Sequence, residues 1–313
     1  MRQFAISLVT LLLAVSPAQA SERTTRFGPP SGPIRFEPLS GQPGQLGRLI
    51  NQVRAHQQAA RKGVEGSAIV AEASGQTILI AAAANTPGAF ESFFTSDLTF
   101  VNLGDEPQDI AIFYLARGVD SRNATGARTT IDGPPVTVQN ILEQLGVSGV
   151  GSLLIVPITD GSQPEFDPDS SIDAYSRLLT PGDEGELSQS FPAVYPDFLE
   201  FEIDALALGH RQDANFRVNA GVVNLEETAQ SFLVTIFHET NFVEFVIDVP
   251  PFSMNQVAIP AGNFGALSIL FEPQSAEAFE WIGYAASNDN RSGDSWSSFA
   301  ARIVDPDDFA KRP

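Results

Sequence analysis

The sequence contains one series of landmark residues twice, and this constrains the fold more than any other feature. The corresponding pairs are Phe94 and Phe216, Asp97 and Asn219, Asn102 and Asn224, Leu103 and Leu225, Ile131 and Ile247, Asp132 and Asp248, Pro134 and Pro250, Pro135 and Pro251, Gly151 and Gly265, and Tyr175 and Tyr284. Their order is kept while their separation shrinks from 122 to 109 positions. Solenoid and propeller repeats are only a few tens of residues long, so this period indicates two copies of a whole domain.

Short apolar or alternating runs bounded by Gly, Pro, Asn and Asp predict β-strands through both copies. These runs are residues 78–84, 98–102, 110–115, 153–158, 199–208, 221–225, 232–238, 242–249 and 267–271. Residues 138–145 alone have helical spacing, and their counterpart near 254–258 ends at Pro260, so a helix is predicted in the first copy only. The fold class is therefore all-β, with two tandem immunoglobulin-like β-sandwich domains predicted over residues 66–192 and 193–305 and a tail over 306–313.

The first twenty residues have the order of a secretory signal peptide. Arg2 precedes an apolar run over residues 4–15, and the small-residue triplet Ala18-Gln19-Ala20 follows it. The run is too short to span a bilayer core of about 30 Å, so we expect cleavage after Ala20 and no transmembrane segment in the mature chain. The chain has no cysteine, which excludes a lipidated cysteine and disulfides. The sequence therefore predicts an exported protein, either periplasmic or secreted.

Residues 21–65 are predicted to form a Pro/Gly-rich, basic linker and a short helix. Leu46, Leu49, Ile50 and Val53 follow helical spacing, which indicates packing on the first domain or on its acidic surface. A basic helix on a membrane surface is the alternative. From Gly63 onward the chain carries 36 acidic and 10 basic residues, and this acidity argues against nucleic acid as a partner.

Two segments of the sequence resemble a family of exported bacterial proteins without assigned function. In that family a Phe-Arg-Thr-Asn/Asp strand opens each of two immunoglobulin-like repeats, and residues 210–224 and 284–294 are similar to its opening and closing segments. Residues 174–177 resemble the strand that ends the first copy. The first copy departs from the pattern, because Thr95 stands where the Arg is expected. The resemblance covers about residues 75–300 and implies the two-sandwich architecture without an activity.

Catalytic motifs do not emerge from the sequence. The three histidines, His56, His210 and His238, are far apart, and neither a Gly-x-Ser-x-Gly nor a His-Glu-x-x-His motif is present. We therefore predict a non-enzymatic binding, structural or surface module, whose partner is an unknown protein or surface component. The alternative from another class is an extracellular hydrolase with carboxylates at the junction of the two domains.

Asp289, Asn290 and Asp294 form the candidate metal site. Oxygen-rich loops suit hard cations, so these residues predict a weak calcium site, and no other cofactor is expected. The competing interpretation is ordinary turn chemistry, in which the same residue types bond to the loop backbone. Asn102 and Asn224 leave a similar choice between a polar site shared by both copies and capping of loop backbone groups.

Arg217 is one of only two basic residues between Arg177 and Arg291, the other being Arg211. Because many carboxylates surround it in sequence, we expect an intramolecular ion pair or a clamp between the two domains. The polar residues at matched positions differ between the copies, so function is expected where the copies disagree.

Overall fold

The computed structural model describes residues 34–39, 44–63, 76–88, 92–182, 185–196, 204–239, 241–275 and 280–303. Over these residues the protein is mostly β, in antiparallel sheets, which confirms the all-β class. The predicted signal peptide, the tail over 306–313 and the linker residues 21–33 lie outside this range. In the part of the chain that is described, no helix has the length and hydropathy needed to cross a membrane.

The elements divide into two groups along the chain. The first group contains β1 (Glu37–Pro38), α1 (Gln45–Gly63), β2 (Ile78–Pro87), β3 (Phe93–Asn102), β4 (Gln108–Ala116), β5 (Gly126–Ile131), β6 (Val136–Val138), α2 (Ile141–Gln144), β7 (Gly149–Ile158), β8 (Ile172–Gly182) and β9 (Gly185–Pro192). The second group contains β10 (Ala205–Gln212), β11 (Phe216–Asn224), β12 (Gln230–His238), β13 (Asn241–Val249), β14 (Ser253–Ala258), β15 (Gly265–Pro273), β16 (Trp281–Asp289), β17 (Ser295–Phe299) and β18 (Ala301–Arg302).

The strands of the two groups have the same order in their sheets. In the first half, β1-β5-β4-β7-β2 form one sheet and β6-β3-β8-β9 another, joined at a corner where β2 pairs with the start of β3. In the second half, β13-β12-β15-β10-β18 and β14-β11-β16-β17 repeat this arrangement. Strands β2 to β9 therefore correspond in order to strands β10 to β17.

Register and irregularities also correspond between the halves. Ile110 opposite Pro157 matches Phe232 opposite Pro273. The same register places Leu267 at the position of Gly151 and Val249 at that of Ile131, two residues from the predicted partners Gly265 and Ile247. A bulge interrupts β2 between Ile80 and Ala83, and the same bulge interrupts β10 between Ala207 and His210. Each half is thus a sandwich-like pair of sheets with matching details.

The predicted strands are confirmed where the structure describes them, and the misses share a composition. No apolar run predicted β1, β5, β6, β8, β9, β14, β16, β17 or β18, because small and polar residues such as those of Ser295–Phe299 give none. Of these, only β8 was expected from the resemblance, at residues 174–177. The predicted helix is confirmed as α2, shortened to one turn over Ile141–Gln144. In the second half no helix follows β14, the counterpart of β6, in the described residues before β15, so the helix belongs to the first half only.

Two apolar cores hold the molecule together. The larger contains the first half, α1 and side chains of the second half that include Leu225, Met254 and Tyr284. The smaller lies wholly within the second half, around Phe232 and Trp281. Because the larger core crosses from one half to the other, the junction is apolar for much of its area.

Helix α1 packs on the first half, as the sequence predicted. Leu46, Leu49, Ile50 and Val53 are each at most 1% exposed. Arg54 of the helix is half-buried, and Arg48 and Arg61 are exposed. The apolar stripe of α1 is therefore buried within the protein, and the helix has no such stripe left to bind a membrane surface.

Candidate functional site

The two halves differ most on the outer face of their larger sheets. In the first half, strand alternation directs one set of side chains away from the sandwich interior, and every member is 0% exposed. The set consists of Leu79, Ala81, Ala111, Phe113, Leu115, Ser152, Leu154 and Val156. A sheet buried on both faces needs a second covering layer. Helix α1 supplies it.

Hydrogen bonds fix α1 above this face. The Gln52 side-chain oxygen accepts from the backbone N–H of Phe166 at 2.8 Å, next to the end of β7. Further along the helix, the Gln57 amide donates to the Pro196 carbonyl at 3.2 Å. The N-terminal segment therefore covers the outer face of the first half across its strands.

The counterpart face in the second half has no such layer among the described residues. Its outward side chains define what we call the open face. They are Leu206 and Leu208 of β10, Ser231, Leu233, Thr235 and Phe237 of β12, Phe242, Glu244, Val246 and Asp248 of β13, and Ser268, Leu270 and Glu272 of β15.

Large apolar side chains of the open face are exposed to solvent. The exposed fractions are 60% for Phe242, 58% for Leu208, 54% for Val246 and 44% for Phe237. Phe237 and Phe242 lie opposite each other on adjacent strands, with their ring centroids 6.5 Å apart. Contiguous apolar surface of this kind marks an interaction site more often than scattered single side chains do.

The charges of the open face have one sign beside the exposed rings. Its ionisable members beside the exposed rings are Glu244, Asp248 and Glu272, and Arg211, which lies on the same face at the far end of β10, is paired with Asp213. Ser231 donates a hydrogen bond to Asp248 at 2.5 Å, and Glu244 lies between Phe242 and Val246 on β13. The open face is therefore apolar with an acidic margin.

The sequence located these residues in strands but not in a site. Residues 242–249 read Phe-Val-Glu-Phe-Val-Ile-Asp-Val, which places apolar side chains on both faces of a strand. A strand of a two-layer sandwich needs only one apolar face. The apolar side chains on the second face of this strand are the signal that identifies the open face in the sequence.

The junction of the two halves contains an ionic clamp centred on Arg54 of α1. Its guanidinium donates to both carboxylate oxygens of Glu280, at 2.6 and 2.5 Å, and approaches Glu226 at 3.4 Å. The Glu280 side chain is 3% exposed. A bidentate contact with a buried carboxylate fixes both position and orientation. The clamp ties α1 to the second half.

The prediction for Arg217 was wrong in both its forms, since among the described residues it makes neither an ion pair nor a clamp between the halves. Arg217 donates to the side-chain oxygen of Asn290 at 2.8 Å, so both partners lie within the second half. Strand β11 opens at the end of the sandwich away from α1, where the Asp289–Asp294 turn lies beside it. The clamp comes instead from the basic N-terminal helix.

The hydrolase hypothesis requires carboxylates at the junction of the halves, where Glu226 and Glu280 contact Arg54. Both bind the one guanidinium of Arg54, which favours their ionised form. Glycoside hydrolysis needs one carboxyl that is held protonated as the acid. The contacts with Arg54 therefore favour a structural role for these two carboxylates over a role as the catalytic acid.

A cavity of about 750 Å³ lies beside the clamp, where α1 and both halves meet. It is lined by Gly44, Gly47, Arg48, Asn51, Gln52, Ala55, Arg122, Asn123, Glu227 and Phe252. Its cationic side chains already have partners, because Arg48 donates to the Pro164 carbonyl at 3.1 Å and Arg122 pairs with Asp120. The cavity is a polar gap between packed elements.

The candidate calcium residues form the turn between β16 and β17. One carboxylate oxygen of Asp289 accepts from the backbone N–H groups of Arg291, at 2.7 Å, and Ser292, at 3.4 Å. Those backbone hydrogen bonds lower the pKa of Asp289. The Asn290 oxygen is occupied by Arg217. Among the described residues, no group of three His, Asp or Glu side chains is placed to hold a metal ion.

We expect removal of calcium to leave the thermal midpoint unchanged, because the backbone already satisfies the Asp289 carboxylate. The measurement is a melting curve with calcium and with excess chelator, and Asp294→Asn serves as a variant that removes one candidate ligand. A midpoint that falls with chelator in the wild type, and does not respond in the variant, would establish the calcium site.

Asn102 and Asn224 cap loop backbone groups, as one of the two interpretations predicted. Asn224 is fully buried and donates to the carbonyls of Thr228, Val249 and Pro250, while its oxygen accepts from the Glu226 N–H. Asn102 makes the matching bonds in the first half, to the carbonyls of Glu106 and Ile131. These asparagines join two loops in each half, which is a structural role.

His210 joins the two sheets of the second half. One ring nitrogen lies 2.7 Å from the hydroxyl of Ser287 and the other lies 2.7 Å from the hydroxyl of Ser298. The Trp296 ring stacks parallel to the imidazole. Burial of the ring, which is 2% exposed, lowers its pKa to about 4. The imidazole is therefore neutral and links the two sheets through the hydroxyls of Ser287 and Ser298.

This buried histidine makes stability depend on pH below neutrality. The histidine pKa is about 6.5 unfolded and about 4 folded, so the unfolded chain binds the proton first as pH falls. Stability is therefore full above pH about 6.5, and between pH 7 and pH 5 we expect a loss of about 2 kcal/mol from this group. Denaturant unfolding of wild type and His210→Phe at both pH values measures it. Equal losses in the two proteins would contradict the assignment to His210.

Comparisons with known proteins do not assign the chain to a family. No family model matches it, and no curated protein matches it. Among solved structures, the crystal structure of Thermotoga maritima 1070 aligns with 34% of this chain and 97% of its own, at 8% sequence identity and a TM-score of 0.28. A similarity of that size carries no conclusion about fold or function.

Proposed function

We propose that this is an exported, non-enzymatic binding protein, built from two copies of an immunoglobulin-like β-sandwich, that engages a partner protein through the open face. The observation that carries the proposal is the contrast between matched surfaces. Phe113 and Leu115 are 0% exposed under α1, whereas Phe237, which corresponds to Leu115, is 44% exposed. The first copy covers this surface with its own helix, whereas the second copy leaves the matching surface apolar and exposed. The exposed surface is therefore suited to being covered by an element of a partner protein.

The immunoglobulin-like character is supported by the central pairings of each half. The third strand pairs with the sixth, as β4 does with β7, and the second pairs with the fifth, as β3 does with β6. Immunoglobulin domains share these pairings. The first and seventh strands exchange their usual places, since β2 pairs with β7 and β8 pairs with β3. We therefore propose a variant sandwich over residues 66–192 and its copy over 193–305.

Export is proposed from the order of charged, apolar and small residues over positions 1–20. The acidic margin of the open face fits a protein or surface component and disfavours nucleic acid, whose phosphates need cationic contacts. Mass spectrometry of the protein recovered from envelope and medium tests the first point. A mature chain that begins at Ser21 is the expected result, and a retained residue 1–20 segment would contradict it.

The binding role is tested by cross-linking and capture from the native envelope, with matched variants. We expect a specific partner to be recovered with the wild type and lost with the double variant Phe242→Ser and Val246→Ser. The control is Leu103→Ser, because Leu103 is 59% exposed on a loop of the first half. Equal recovery with all three proteins would place binding elsewhere and contradict the proposal.

A further inference from the structure

Resting on that proposed function, we propose that the partner presents a basic amphipathic α-helix to the open face. A short extended segment that adds to the outer edge of β13 is expected to precede it. Three observations lead to this occupant: the way the chain covers its own first half, the apolar rows of the open face, and the charge of its margin.

The first half shows how such an occupant is built. Residues 37–38 form β1 on the outer edge of β5, with Glu37 opposite Arg128, and α1 then crosses the adjoining face. The backbone N–H of Leu39 extends the pairing to the Gly126 carbonyl at 2.9 Å. In the second half the counterpart of β5 is β13, which is the end strand of its sheet in the described chain. Within the described part of the chain, edge and face are therefore both uncovered at matched places.

The apolar rows of the open face fit a helix. Phe242 lies beside Phe237, and Val246 lies beside Leu233, in two rows that follow the pleat. The rows are four residues apart on β13, about 13 Å. Two and a half turns of α-helix cover about that distance, so one apolar stripe contacts both rows. An exposed end strand also accepts an added strand through its backbone.

The charge of the open face selects a basic helix. Glu244, Asp248 and Glu272 lie among or beside the apolar rows. Helix α1, which covers the matching face, carries Arg48, Arg54, Arg61 and Lys62 and no acidic residue. Opposite charges across an interface favour the encounter and exclude wrong partners. For the same reason, two open faces of this chain repel each other, which disfavours a second copy as the occupant.

The experiment uses the full mature chain and two model peptides of about 18 residues with one leucine stripe. One peptide has lysine on its polar face and the other has glutamate, and a scrambled lysine peptide of equal charge controls for general attraction to an acidic protein. Binding is measured by fluorescence anisotropy at physiological ionic strength, and amide hydrogen exchange locates it. We expect the lysine helix to bind at least about tenfold more tightly than either other peptide. Protection is expected in β12 and β13.

Two variants separate the apolar and charged contributions. The pair Phe242→Ser and Val246→Ser should abolish binding of the lysine helix, while Glu244→Gln with Asp248→Asn should remove its preference over the glutamate helix. Equal binding of both helices to the wild type would overturn the inference and leave the open face as a binding surface. A second outcome would also overturn the helix inference while leaving the proposed function intact. In that outcome, partner capture is lost when the Phe242 side chain is removed, yet neither helical peptide binds the wild type. Undiminished lysine-helix binding to the Phe242 and Val246 variant would contradict the site itself.

Discussion

Replacing Arg54 by methionine is expected to lower the free energy of unfolding by about 4 kcal/mol. The substitution keeps most of the packing of the side-chain stem and removes the guanidinium that binds Glu280 and Glu226. Glu280 is then left charged at 3% exposure, with its main cationic partner gone. Breaking a buried pair from one side is costly for this reason, whereas removing an exposed pair is not. Denaturant unfolding at pH 7 measures the change.

Two further variants make the Arg54 result specific. Arg122→Met removes an ion pair in which both side chains are substantially exposed, so we expect a far smaller change than at Arg54. Glu280→Gln placed in the Arg54→Met background should recover part of the lost stability, because the uncompensated charge is gone. A loss at Arg54 no larger than the loss at Arg122 would show that the clamp contributes little.

The clamp gives the N-terminal helix two roles at once. Its apolar stripe completes the core of the first half, and its Arg54 reaches the second half across the junction. The helix therefore contacts both halves as well as covering one of them.

The sequence predicted the strands that carry large apolar residues and missed those made of small ones. Strand β12 has an apolar run, so its location follows from the sequence. Strand β16 contains Gly283, Ala285, Ala286 and Ser287, whose burial depends on rings that other strands supply. Periodicity cannot reveal a strand whose packing partner is distant in sequence.

The matched landmarks were informative about position and less so about burial. Tyr175 and Tyr284 occupy equivalent places on β8 and β16, yet Tyr175 is 39% exposed and Tyr284 is 0% exposed. The difference arises because the outer face of β16 packs against the first half, where Phe191 contacts the Tyr284 ring. The candidate site was missed for the same kind of reason. Whether Phe113 or Phe237 meets solvent depends on where α1 lies, which the strand sequences do not record.

We expect disruption of the contact between Tyr284 and Gly221 to lower the free energy of unfolding by an amount comparable to the loss of the Arg54 clamp. They are direct neighbours on β16 and β11, and a Cβ atom at Gly221 would overlap Cζ, Cε1 and Oη of the tyrosine. The ring cannot move away, because it is fully buried, contacts Phe191 and donates from its hydroxyl to Gln256 at 3.0 Å. Gly221→Ala should therefore cost about 3 kcal/mol, at the upper end of overpacking effects.

A double-mutant cycle tests whether that loss comes from the tyrosine ring. Tyr284→Ala alone should cost about 4 kcal/mol, since it leaves a large cavity between the two halves. In that background Gly221→Ala adds a methyl group where the ring was, so we expect almost no further loss and a coupling of about 3 kcal/mol. Gly283→Ala is the control, because its added Cβ would lie 3.1 Å from the nearest Phe271 atoms, a contact that small shifts relieve. Additive losses at Gly221 and Tyr284 would mean that the glycine is required for backbone conformation, and the packing of the two halves would not depend on this contact.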